Sequence, residues 1–205
     1  MGDAIAGDQT ASGPVEILWP LPGGKKGRLV HRELAWTYRQ FAQVIGPRVV
    51  REIVISDRVR PERVVAAYAD DKLLGYLALR LDRTGPFTLT AHHFRRQFGT
   101  AQGTLRYAGY RLLERREKAD EIFIDGFLVD PNARGGGIGR RLLEMGETVG
   151  RQAGKRVFRV RVRADNPKAA AFYERQGFRK EGLSEISLLG RIIGIGPVFS
   201  YAKAL

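Results

Sequence analysis

The run Phe123-Ile-Asp-Gly-Phe-Leu-Val129, Asp130-Pro131, then Arg134-Gly-Gly-Gly-Ile-Gly139-Arg-Arg-Leu-Leu holds the residue types and spacing that can do chemistry. A β-rich run ends in a turn, three glycines follow, and an amphipathic run begins. The first turn of a helix leaves about four N–H groups without partners and carries roughly half a positive charge. Glycines just before it let the backbone come close to an anion, and Arg134, Arg140 and Arg141 add guanidinium groups around the turn. A phosphate or pyrophosphate ligand is expected there. A dinucleotide fingerprint would need glycine at position 140, where Arg140 stands. No G-x-x-x-x-G-K-[ST] run occurs either, so both of those nucleotide loops are excluded.

Composition narrows the field. The 205 residues carry 35 Lys plus Arg against 22 Asp plus Glu, a formal net charge of +13, and no cysteine. Disulfide staples, thiolate metal sites and a cysteine nucleophile are thereby excluded, and a hydrophobic fraction of 43% excludes wholesale disorder. The excess charge is local, with 13 basic and 4 acidic residues between Arg134 and Lys180. The apolar stretch Ile192 to Ala202 is far short of the roughly 20 residues of a spanning helix. The N-terminal run lacks the basic start of a signal peptide. A cytoplasmic protein with no membrane partner is expected.

The order Val129-Asp130-Pro131, Arg134-x-x-Gly137-x-Gly139 and an amphipathic helix resembles the GNAT superfamily of acyl-CoA-dependent N-acetyltransferases. Downstream, VRVRADNPKAAAFYERQGF resembles the family's strand–Asn–helix–Gly-Phe segment, with Asn166, Ala170, Tyr173, Gly177 and Phe178 in register. The ending SYAKAL is similar to its last strand. The resemblance implies an α/β fold with a mixed, mostly antiparallel central sheet, splayed middle strands and helices on both faces. It implies acetyl-CoA, or another acyl-CoA, as co-substrate and no metal. Backbone amides of Gly135, Gly136, Gly137, Ile138, Gly139 and Arg140 would cradle the pyrophosphate beside Arg134. Backbone groups of Phe127 and Val129 would pair with the pantetheine arm, and Asn166 would hold cofactor or active-site water. Tyr173 would protonate the departing thiolate, a sensible role for a phenol near developing negative charge. Asp125 matches a position where the family often carries Glu, so it is either the general base or a structural or substrate-binding group. Arg161 stands where relatives often carry Glu.

Other residues have competing readings. His92 and His93 are adjacent histidines in a variable region, more in keeping with a polar loop than with catalysis. Arg159, Arg161 and Arg163 share one strand face, most simply a solvated one.

The elements that must position these groups are legible by periodicity. Residues 1–14 read as a mobile tail and 15–205 as a single acyltransferase domain. Val15–Leu21 reads as an edge strand and GGKKGR as an exposed loop. One helix is expected from Glu33 to Ile45 and a shorter one over Val49–Ile55. Arg63–Ala69 and Leu73–Leu81 form a hairpin at Asp70-Asp71. Residues 82–120 are an insertion where relatives have a short hairpin, with a helix over Thr104–Arg116 and basic pairs (Arg95, Arg96, Arg115, Arg116) among aromatic residues. It is expected to wall the acceptor pocket or make an oligomer contact. Strands follow over Ile122–Val129 and Val157–Arg163, helices over Gly137–Arg151 and Pro167–Gln176, and late β segments near Ser184–Leu189 and Pro197–Lys203.

The expected function is acyl transfer from acyl-CoA to an amine by direct attack, with no covalent enzyme intermediate. The acceptor is a small-molecule or protein amine, and a homodimer fits. Two alternatives stay open: a non-catalytic module that holds CoA or acyl-CoA, and an acetyltransferase acting on a ribosome- or RNA-associated target. No RNA-binding fingerprint accompanies the charge, so a nucleic-acid partner is not expected. CoA carries about four negative charges near neutral pH, which the arginines of the turn could meet.

Overall fold

A computed structural model describes residues 13–38, 41–113, 117–183 and 196–205 of the chain. The hairpin at Asp70-Asp71 joins β2 (Val64–Ala69) to β3 (Lys72–Arg80), with Asp70 in the left-handed region at φ 51°. The other strands are β1 (Val15–Leu18), β4 (Glu121–Val129), β5 (Val157–Arg163), β6 (Arg179–Leu183) and β7 (Val198–Ala204). Among the described residues they form one sheet in the order β1-β2-β3-β4-β5-β7-β6. Every neighbouring pair is antiparallel except β4–β5, which is parallel.

Strand alternation feeds two cores. Val65, Ala67, Leu77 and Leu79 face one side, with α6 (Ile138–Gln152) and α7 (Pro167–Arg175). Val64, Ala66, Tyr76 and Ala78 face the other, with α1 (Gly24–Thr37), α2 (Ala42–Ile45) and α3 (Arg48–Ile55). That second layer is completed by α4 (Ala91–Phe98) and α5 (Thr100–Leu113), which lie between β3 and β4 in sequence. Their aromatic residues are core: Phe94 and Tyr110 are buried and pack with Phe41 and Tyr107.

Two expectations fail for physical reasons. The glycine- and lysine-rich run is the first turn and a half of α1, not a loop. A side chain on Gly27 would strike the Pro22 carbonyl, Tyr68 Oη donates to the Lys26 carbonyl at 2.8 Å, and Lys25 pairs with Asp71 at 3.0 Å. These tertiary contacts override the poor helix propensity of glycine. The helix expected from Glu33 to Ile45 breaks after Thr37, although Leu34, Tyr38, Phe41 and Ile45 are buried as expected. Strand β6 gave no sequence signal, because RKEGL is a charged and mostly exposed sheet edge. The Ser184–Leu189 segment, Arg115, Arg116 and residues 1–12 of the tail lie outside the described residues.

The junction of β4 with β5 matters most for function. The two strands pair only through Glu121–Val157, Ile122–Phe158 and Phe123–Arg159, yet β4 runs on to Val129 and β5 to Arg163. Beyond the third rung they part. On its other edge β4 carries a bulge against β3: Ile124 pairs with Leu79 and Gly126 with Ala78, leaving Asp125 as the extra residue. A bulge bends a strand and shifts its side-chain parity. Accordingly Ile122, Ile124 and Phe127 all face the α6 side, while Leu128 faces α1.

Candidate active site

The parting strands open a cleft of about 830 Å³. One wall is β4 from Ile124 to Val129 and the opposite wall is β5 from Val160 to Arg163. The mouth is the turn with Arg134, Gly135 and Gly137–Gly139. Asn166, Lys168, Phe172, Tyr173 and Arg175, at the start of α7 and along it, close the remaining side. Ten of the twelve site residues read from sequence line it: Asp125, Phe127, Val129, Arg134, Gly135, Gly137, Ile138, Gly139, Asn166 and Tyr173. Gly136 and Arg140 do not.

The turn is built by local chemistry. Asp130 Oδ1 accepts from the Asn132 N–H at 2.9 Å, and the Asp130 N–H donates to the Leu74 carbonyl at 2.8 Å, fixing the end of β4. Gly135 and Gly137 take φ values of 88° and 74°, a conformation costly for other residues. The first bond of α6 runs from the Arg141 N–H to the Gly137 carbonyl at 3.1 Å. The N–H groups of Ile138, Gly139 and Arg140 therefore precede the intrahelical ladder. A Cβ on Gly139 would come within 3.1 Å of Phe172 and 3.4 Å of Phe127, so these rings fill the space under the turn.

The arginines around the turn divide differently from the sequence reading. Arg134 Nε donates to the Val129 carbonyl at 3.3 Å and stays at the mouth. The Arg140 guanidinium turns away to Glu144 at 2.7 Å. Arg141 donates to the Val15 carbonyl of β1 at 3.0 Å. In their place the cleft has Arg161, Arg163, Lys168 and Arg175, with Asp125 as the acidic residue in its lining. Arg163 also holds Asp165 through two bonds of 2.9 and 2.5 Å. The solvated-face reading of the β5 arginines holds for Arg163, which is exposed while lining the cleft; Arg161 is half-buried, and Arg159 is engaged by Glu121 at 2.8 Å, by Ser200 at 2.9 Å and by Glu181. Lys168 and Arg175 escaped the sequence reading. Their signal was available, because Lys168, Phe172 and Arg175 stand at i, i+4 and i+7 on one helical face.

Tyr173 is a buried titratable group of the cleft. Its ring packs on Phe172 and Phe178, each at 5.3 Å, and on Phe127 at 6.1 Å. Burial pushes its phenol up from the ordinary value, so it is protonated and able to donate at neutral pH. Asp125 is a buried carboxylate paired with the buried Arg80 at 3.4 Å. Asn166 caps α7, its Oδ1 accepting from the Ala169 N–H at 3.1 Å, which leaves the side-chain NH2 for any ligand. His92 and His93 stand apart from the cleft; His93 Nδ1 accepts from the Thr90 N–H at 3.1 Å in the cap of α4. Helices α4 and α5 contribute no residue to the lining.

The acetyltransferase (GNAT) family model matches residues 29–178. The chain belongs to this family. The GNAT fold is shared with solved structures at low identity. One acetyltransferase superposes with a TM-score of 0.60 at 16% identity, covering 92% of this chain and 98% of that one. An N-acetyltransferase from Staphylococcus aureus Mu50 gives 0.57 at 12% identity, with coverages of 86% and 96%. Against nourseothricin acetyltransferase the TM-score is 0.47 at 20% identity over 69% of this chain, which spans 64% of that protein's length. No curated protein sequence matches this GNAT acetyltransferase. Among the described residues, no helix is long and apolar enough to cross a membrane.

Proposed function

We propose that this acetyltransferase uses acetyl-CoA as acyl donor and transfers the acetyl group to an amine, with donor and acceptor meeting in the cleft between β4 and β5. The observation that carries the reading is the fork itself: the strands part after Phe123 and Arg159, a glycine turn stands at the open end, and Tyr173 lines the space between. Residues 15–205 form one acyltransferase domain in this reading, with 82–120 inserted into it, and the setting is cytoplasmic.

The residues fit such a donor. The N–H groups of Ile138, Gly139 and Arg140 and the Arg134 guanidinium suit a pyrophosphate. From Val129 back to Ile124, β4 offers roughly 17 Å of strand at about 3.3 Å per residue. Its edge toward β5 is released from pairing beyond Phe123 and suits the amides of an extended arm. Backbone N–H groups on that edge, near Phe127, can hold the thioester oxygen as charge develops.

In the reaction the neutral amine attacks the thioester carbon. A C–N bond forms and the C–S bond breaks. The leaving thiolate takes the phenolic proton of Tyr173. The proton lost by the nitrogen passes to a carboxylate or water, and Asp125 is the carboxylate in the lining. Its engagement by Arg80 favours relay through a bridging water.

The test is release of free thiol from acetyl-CoA across a panel of amines, with tight binding followed separately. Turnover with one class of amine is expected. Acetyl-CoA binding without turnover on any amine would favour a non-catalytic CoA-binding module. No acetyl-CoA binding would remove the proposal.

A further inference from the structure

The two faces of the fork carry different chemistry. Along β5, Val160 and Val162 belong to the core shared with α6 and α7, so alternation turns Arg161, between them, to the opposite face of the sheet. There its guanidinium lies over the ring of Phe123 at 5.9 Å, and Phe123 in turn stands between Ile122 and Ile124, which face α6. The Asp125–Arg80 pair is on the Arg161 face as well, since Leu79 beside Arg80 packs on the α6 side. Tyr173, Lys168 and Arg175 line the cleft from α7, on the other face.

We propose that Arg161 selects the acceptor: the amine that this enzyme acetylates carries an anionic group, a carboxylate or a phosphate, which the Arg161 guanidinium holds while the nitrogen reaches the fork. The inference rests on the acetyl-CoA reading of the cleft. The rings of Phe127, Phe172 and Tyr173 pack together on the α6–α7 side of the fork and fill it. An acceptor therefore approaches the thioester carbon from the opposite face, past Arg161, which lines the cleft there.

Charge on that face favours an anion. Arg159 is answered by Glu121 and Glu181, and Asp125, the acidic residue of the lining, is answered by Arg80. A second cationic group on the acceptor would meet the half-buried Arg161, where like charges are screened less than in open water. A guanidinium presents five N–H donors in a planar fork that matches carboxylate and phosphate oxygens. Attraction to the Phe123 ring anchors it at the root of the fork. Arg134, Lys168 and Arg175 are left to the phosphates of the donor.

Thiol release from acetyl-CoA tests this with matched pairs: amino acids against their carboxamides, and O-phosphoethanolamine against ethanolamine. Amidation removes the negative charge and makes the amine less basic, so the carboxamide holds more of the attacking neutral amine. A preference for the acid then cannot come from the amine itself. The anionic member of a pair should show a kcat/KM higher by about 10- to 100-fold, the worth of a hydrogen bond to a charged group. The pair that shows it separates carboxylate from phosphate. Arg161→Met should erase the preference mainly through KM, Arg161→Lys should recover part of it, and acetyl-CoA affinity should stay within about twofold in both. Equal rates within every pair, a preference for the neutral members, or a preference that survives Arg161→Met would each overturn the assignment. Weakened acetyl-CoA binding in Arg161→Met would give the guanidinium to the donor and overturn it too. A wild type that binds acetyl-CoA but turns over no anionic amine would overturn the acceptor claim alone, whereas one that binds no acetyl-CoA would remove the cleft reading beneath it.

Discussion

Phe123 and Arg159 form the last rung between β4 and β5, and everything the cleft can do begins one residue beyond them. The rung is fastened from the Arg159 side, where Glu121, Glu181 and Ser200 hold the guanidinium. From there β4 diverges with its bulge at Asp125 and β5 carries Val160 to Arg163 along the facing wall.

Tyr173→Phe isolates the proton donor. The ring and its packing on Phe172 and Phe178 are kept, and only the hydroxyl is lost. General acids contribute about 10²–10⁴-fold, so turnover should fall by at least about 10²-fold while acetyl-CoA affinity by calorimetry stays within about twofold, well under 1 kcal/mol. Unchanged turnover would place the acid elsewhere.

Asp125→Asn should affect both stability and rate. It takes the carboxylate from the buried Arg80 guanidinium, and removing one partner of a buried pair typically costs about 3–5 kcal/mol. A lower melting temperature is expected, with partial recovery in the double variant Arg80→Met/Asp125→Asn, since removing both charges is less harmful than removing one. A single variant as stable as wild type would show that the pair is not structural.

Much of this arrangement was legible in the sequence, for reasons that differ by residue. The glycines before α6 announce themselves because the backbone there, with φ of 88° at Gly135 and 74° at Gly137, demands that residue type. The fork does not, because strand parting is a relation between Phe123 and Arg159, 36 positions apart. Arg140 and Arg141 misled for a similar reason. Their positions beside the turn are local, but Glu144 and the Val15 carbonyl decide where the guanidinium groups go. The GGKKGR run became helix through Tyr68 and Asp71, which no local propensity encodes.

Gly146→Ala tests the contact of α6 with the sheet. A Cβ there would lie 2.6 Å from Leu77 Cδ2 and 3.0 Å from Phe158 Cζ, both side chains being fully buried. Overpacking of about 1–3 kcal/mol should exceed the roughly 1 kcal/mol that alanine gains in a helix. Denaturant unfolding should show net destabilisation. Gly136→Ala, whose Cβ would meet only the Ala133 carbonyl at 3.7 Å, should be far milder.

Glu33 should make stability depend on pH. Burial raises its pKa despite the nearby Arg32 and Arg48, and Asp130 adds to the rise. The folded chain then holds this proton more tightly than the unfolded one. Its contribution to stability is present below the unfolded pKa and is lost as pH rises through the folded pKa. Glu33→Gln should therefore raise the melting temperature at pH 8 and change it little at pH 4. The opposite pattern would mean that the native fold prefers the carboxylate charged.

The most direct measurement is hydrogen–deuterium exchange with and without acetyl-CoA. Slower exchange is expected in peptides covering 124–129, 135–141 and 160–163, with 91–113 unchanged. Binding that protects other segments while leaving the fork and the glycine turn untouched, or no binding at all, would contradict the assignment of the cleft to the acyl donor.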